Sequence, residues 1–176
     1  MMLVPNSRKI AGIFIDGTNL YFVQKQFLDF KVDILKLVRY FANYFVIYNT
    51  FFYLAYKEEE EKQNKFYRML TFGGVTVIKK AVKQLKDGSM KGNLDVDLAM
   101  DCLLTKDNYD VAILVTGDSD FEKLINVLRT FGKQIIVVST KDSSSIELVN
   151  VCDLFVELKD LAPFIKLEEH EKQNNT

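Results

Sequence analysis

The chain has 176 residues, 48% hydrophobic and 27% charged, the size and make-up of one folded domain rather than a disordered chain. Its 23 basic and 24 acidic side chains leave a net charge of −1, so no global basic field draws it onto nucleic acid. The single histidine, His170, sits near the C-terminus, which excludes Ser–His–Asp and Cys–His triads, paired-histidine ribonuclease chemistry and His-rich zinc sites.

In chain order, an apolar run at 9–15, KIAGIFI, predicts the first strand, followed by helices over 19–28 and 33–44. A second strand is expected at 46–54, then a helix over 57–71 whose early glutamates suit the positive end of the helix dipole. FGG closes that helix, and VTVIKK at 75–80 reads as a third strand. A lysine-rich link, KQLKDGSMKGN, leads into a helix over 95–105. VAILV at 111–115 reads as the fourth strand, with a helix over 119–131 and a fifth strand at 134–139. A short helix is expected over 145–151, with Ser144 and Glu147 as its capping box. LFVEL at 154–158 is a last short strand.

Strands alternating with helices, several of them continuous apolar runs, predict a mostly parallel sheet covered on both faces. The expected architecture is a single three-layer αβα domain over 9–160, with tails at 1–8 and 161–176, the latter partly disordered. Cys102 and Cys152 lie in apolar segments with no neighbouring Cys or His, as expected of two buried thiols in a reducing compartment. No stretch reaches the length of a membrane span, and a cytoplasmic location is expected.

In an open parallel sheet, ligands bind outside the carboxyl ends of the strands, near the point where the strand order reverses. Asp16 follows the first strand, Asp118 and Asp120 follow the fourth, and Asp95, Asp97 and Asp101 begin the helix leading into it. With strands one and four adjacent in a 3-2-1-4-5 order, these acids meet. A lone Asp after a strand is ordinarily a helix cap. Several converging carboxylates without a neighbouring Arg or His instead call for a hard cation with oxygen ligands, Mg2+ or Mn2+. Lys79, Lys80, Lys83, Lys86 and Lys91 then form a candidate phosphate-binding rim beside the acidic helix. Tyr21, Phe22, Tyr53 and Tyr56 are candidates for base stacking, although aromatics in apolar segments usually belong to the core.

The segments FIDGTNLYF, KGNLDVDLAMD and VAILVTGDSDFEKLINVLRTFGKQIIVVS together resemble the NYN domain, a branch of the PIN-like nucleases, and within it the LabA-like group. The resemblance implies a PIN-like α/β fold, a pocket binding Mg2+ or Mn2+, and metal-dependent cleavage of RNA, with single-stranded RNA as the expected partner. It implies Asp16, Asp95, Asp118 and Asp120 as catalytic acids, and these with Asp97 and Asp101 as candidate metal ligands. Asn19, Thr116 and Ser119 become candidate substrate-binding groups beside the lysines. The chain has one residue more between Gly92 and Asp95 than the family pattern, so Asp95 and Asp97 both stay open as the direct ligand. FIDGT also suggests a haloacid-dehalogenase phosphatase, but Phe14 stands where that nucleophile would be. The rival reading is a non-catalytic RNA- or nucleotide-binding module, and a homodimer or protein partner is compatible with either.

Overall fold

Six parallel strands run through the middle of the molecule in the order β3-β2-β1-β6-β7-β8, that is, 3-2-1-4-5-6 counted along the sheet strands. The computed structural model describes residues 3, 8–56, 61–84, 90–91 and 94–168, without the side chains of 62, 83, 84, 90 and 91. The elements are β1 (Ile10–Asp16), α1 (Gly17–Gln26), α2 (Ile34–Ala42), β2 (Val46–Tyr56), α3 (Glu61–Phe72) and β3 (Val75–Ala81). A short antiparallel pair, β4 (Lys83–Gln84) and β5 (Met90–Lys91), precedes α4 (Asp95–Leu104) and β6 (Val111–Val115). A 3-10 turn at Ser119–Phe121, α5 (Glu122–Thr130), β7 (Gln134–Ser139), α6 (Ile146–Val151), β8 (Leu154–Glu157) and α7 (Ala162–Ile165) complete the order.

The continuous apolar runs are explained by two cores, one on each face of the sheet. Ala11, Ile13 and Ile15 of β1, with Val111, Ile113 and Val115 of β6, pack into the core that holds Leu20, Leu37, Phe41 and Leu70 of α1 to α3. Phe14, Ala112 and Leu114 point the other way, to Leu98, Cys102, Ile125 and Leu128 of α4 and α5. Alternate side chains of one strand thus serve opposite layers, as both faces of a buried parallel sheet require. After β3 the chain crosses to the other face through α4 and enters β6 beside β1. The strand order therefore reverses between β1 and β6, where the acids are gathered.

Several boundaries differ from the sequence expectation. The first helix begins at Gly17, two residues early, because Asp16 caps it by accepting the Asn19 backbone N–H at 2.9 Å. The helix expected over 119–131 divides into the 3-10 turn and α5, since Asp118 Oδ1 accepts the Asp120 N–H and tightens the first turn. Ser145, not Ser144, caps α6: its Oγ accepts the Leu148 N–H at 3.1 Å, while Ser144 Oγ donates to the Thr140 carbonyl at 2.8 Å. Cys152 is only partly buried, whereas Cys102 is enclosed. Beyond 160 the chain turns back onto α2: Leu161 and Ile165 are buried, and Lys166 bridges to Val32. Residues 1–2, 4–7, 57–60, 85–89, 92–93 and 169–176 lie outside the described residues. No described helix is long and apolar enough to cross a membrane.

Candidate metal centre

Register brings the first acid into place. β1 pairs with β6 up to Ile15 opposite Val115, so Asp16 and Thr116 leave the sheet side by side. Thr116 Oγ1 donates to Asp16 Oδ2 at 3.3 Å and accepts the Asp118 backbone N–H at 3.2 Å. One hydroxyl therefore fixes both the first acid and the turn that carries the next. Asn19, on the first turn of α1, closes the other side by accepting the Gly117 N–H on its Oδ1 at 3.0 Å.

Carboxylate oxygens of Asp95, Asp118 and Asp120 lie within 4.8 Å of one another. Asp95 comes from the first turn of α4, and Asp118 and Asp120 from the turn after β6. Asp16 lies behind this trio and is only 8% exposed. Burial, reinforced by the negative charges of Asp95 and Asp118, pushes its carboxyl up to about 6, against the opposing pull of the Asn19 N–H and the Thr116 hydroxyl. Among the described residues, neither Asp16, Asp118 nor Asp120 has a cationic partner.

The other two acids of α4 turn elsewhere. Asp97 pairs with Lys80 at 3.0 Å, and Asp101 Oδ2 accepts the hydroxyl of buried Tyr53 at 2.9 Å. That contact occupies the Tyr53 ring in the core, where no base can stack on it. Lys79 lies over the rings of Tyr56 and Tyr67, 5.6 and 5.0 Å from their centroids. Ser119 is exposed beside Asp118. Lys83 and Lys91 face each other in the short antiparallel pair; their side chains, and the whole of Lys86, lie outside the described residues. Tyr21 and Phe22 are exposed on α1.

One feature of the site was not read from the sequence: a wall of hydroxyls around Gly117. A Cβ at Gly117 would stand 2.9 Å from Ser139 Oγ and 3.0 Å from both Ser144 Oγ and the Ser143 carbonyl. The run STKDSSS at 139–145, small and polar directly after a strand, carried the available signal.

A parallel α/β domain with carboxylates gathered where its strand order reverses has the make-up of a PIN-like, nuclease-type domain. The chain belongs to the NYN domain family, whose pattern it matches over residues 10–159. It is 34% identical, over 166 residues covering 90% of this chain and 88% of the other, to the low amplitude and bright protein LabA of Synechococcus elongatus. A crystal structure of a Vibrio parahaemolyticus protein of unknown function shares the fold, with a TM-score of 0.81 at 24% identity, covering 92% of this chain and 99% of that one. PIN-like nucleases typically use divalent metals, and this chain gathers three aspartates into an acidic cluster.

Proposed function

We propose that this protein is a metal-dependent endoribonuclease of the cytoplasm that hydrolyses phosphodiester bonds of single-stranded RNA. The observation that carries this reading is the convergence of Asp95, Asp118 and Asp120 oxygens within 4.8 Å in front of buried Asp16. Three carboxylates brought so close repel one another unless positive charge lies between them. The donors are all oxygens, which suits Mg2+ or Mn2+ and not a thiolate- or imidazole-seeking metal.

Asp95, Asp118 and Asp120 would hold the cation, with Asp16 contributing from behind. When bound, such a cation supplies Lewis-acid stabilisation of phosphoryl oxygens and makes an attacking water more acidic. The chain's own residues do the rest. Asn19 and Thr116 hold the two acid-bearing turns in register through Gly117, Asp16 and Asp118. Exposed Lys79 and Lys80, near the end of β3, would meet the phosphates of the flanking strand, Lys80 by exchanging its Asp97 partner for the phosphate.

The test is cleavage of a labelled single-stranded RNA by the purified protein with Mn2+ or Mg2+, against Asp118→Asn. Asn keeps the cap that Asp118 provides to the Asp120 N–H, so the variant is expected to fold while losing at least a hundredfold in rate. An Asp118→Asn protein that cleaves as fast as the parent would show the activity to be contamination. RNA that is bound but never cut with either ion would leave a binding module in place of the enzyme.

A further inference from the structure

α1 leaves the acidic pocket carrying an exposed stripe, joined to β2 where Thr18 Oγ1 accepts the Ala55 backbone N–H at 3.5 Å and otherwise turned outward. Gly17, Leu20 and Val23 face the core. Thr18, Tyr21, Phe22 and Lys25 recur at i, i+3, i+4 and i+7, which places them on one helix face. Tyr21 is 64% and Phe22 52% exposed, a large apolar area for two adjacent aromatic residues on a ten-residue helix. The stripe starts at the site itself: Thr18 adjoins the Asp16 cap, and Phe22 lies one turn beyond Asn19, which holds Gly117. It ends at Lys25, which is exposed and makes no ion pair among the described residues. Phe22 is steadied by an edge contact with Phe27, ring centroids 5.9 Å apart.

We infer that this stripe is a base-stacking subsite that takes one or two unpaired nucleobases of the RNA strand leaving the pocket, with Lys25 on the following phosphate. The inference rests on the reading of the pocket as one that acts on RNA. Aromatic faces accept any unpaired base, and a lysine beyond them answers the charge of the backbone. From Thr18 to Lys25 the helix rises about 10 Å, room for one or two nucleotides and not for a longer tract. Tyr53 and Tyr56 offer no equivalent surface, one being buried against Asp101 and the other covered by Lys79. Stacking here would give affinity without choosing a sequence.

The chain has no tryptophan, so Tyr21→Trp introduces a single fluorescent reporter into the stripe while keeping an aromatic face. Hexauridylate titrated into that variant in EDTA, where no cleavage occurs, is expected to quench it saturably. Adding Phe22→Ala should weaken binding about tenfold or more, and adding Lys25→Ala should flatten the salt dependence by about one phosphate contact. All three side chains are exposed, so folding should be unaffected. Absence of quenching, or unchanged affinity in Phe22→Ala, overturns the subsite. Saturable quenching by a protein that never cleaves with Mn2+ keeps the subsite and fails the nuclease reading. Normal cleavage and an unchanged KM in Tyr21→Ala/Phe22→Ala keeps the nuclease and overturns the subsite. A sedimenting dimer that falls apart in that double variant, with RNA affinity intact, would assign the stripe to a second copy of the chain and overturn the inference as well.

Discussion

Asn19 and Gly117, 98 positions apart in the chain, are joined by one hydrogen bond: the Asn19 Oδ1 accepts the Gly117 backbone N–H at 3.0 Å. This bond ties the start of α1 to the turn after β6 and so sets the spacing between Asp16 and Asp118. Gly117 is buried, and its N–H has no water to turn to if the side chain is removed. Asn19→Ala is therefore expected to lose about 1–3 kcal/mol of stability, the cost of an orphaned buried donor. Urea denaturation measures it. Mn2+ binding by calorimetry should weaken in parallel, and an Asn19→Ala protein as stable as the parent would show that the bond positions nothing.

Asp16 makes stability depend on pH in a direction opposite to that of most carboxylates. Its pKa is raised by burial from 3.8 to about 6 on folding, so the folded chain holds this proton more tightly than the unfolded one. The cost of an ionised Asp16 is absent below about pH 4, grows between about pH 4 and pH 6, and stays constant above. The shift corresponds to an upper bound of about 3 kcal/mol. In EDTA at neutral pH, Asp16→Asn should therefore be more stable than the parent, with the advantage vanishing near pH 4. Mn2+ should reverse the order by stabilising the parent far more than the variant. Denaturation at several pH values, with and without the ion, decides; a variant less stable than the parent at pH 7 in EDTA would contradict it.

Gly17 shows a packing constraint overriding helix propensity. Alanine in a helix is favoured over glycine by about 1 kcal/mol, which alone would make Gly17→Ala stabilising. A Cβ there would stand 2.6 Å from the Tyr53 carbonyl and 2.7 Å from the Phe52 ring, however, and the carbonyl belongs to β2 and cannot move aside. Overpacking of this kind costs about 1–3 kcal/mol. Gly17→Ala should accordingly lower the melting temperature, and weaken Mn2+ binding because α1 carries Asn19 and follows directly on Asp16.

Much of this was legible locally, and what was not depended on contacts distant in the chain. The apolar runs of β1 and β6 and the acids directly after them are adjacent in sequence, so the switch-point arrangement followed from spacing and fold class. Which acid of α4 would turn to Asp118 did not. Asp95, Asp97 and Asp101 differ in the partners that meet them: Asp97 meets Lys80, 17 positions away, and Asp101 meets Tyr53, 48 positions away. Capping-box spacing to Glu147 favoured Ser144 as the cap, but the Thr140 carbonyl engages the Ser144 hydroxyl and leaves the role to Ser145. The segment after 160 has a charged end that suggests a tail, yet buried Leu161 and Ile165, with the Phe164 ring against Tyr40, seat it on α2.

The contact between Tyr53 and Asp101 gives the sharpest separation of structure from chemistry. Burial above all, and then the hydrogen bond its hydroxyl donates to Asp101 Oδ2 at 2.9 Å, hold the Tyr53 phenol proton in place. Asp101 is half-buried and lies outside the Asp95, Asp118 and Asp120 trio. Tyr53→Phe removes the donor and leaves that carboxylate facing an apolar ring edge. A hydrogen bond to a charged group is worth about 1.5–3 kcal/mol when buried, and partial exposure of Asp101 reduces the expected loss to about 1–2 kcal/mol. If Asp101 serves only to anchor α4 against β2, Tyr53→Phe should lower stability while Mn2+ affinity and RNA cleavage at a temperature well below unfolding stay within about twofold. A Mn2+ affinity that falls tenfold in Tyr53→Phe, with the protein still folded, would instead bring Asp101 into the cation's immediate surroundings and extend the centre along α4.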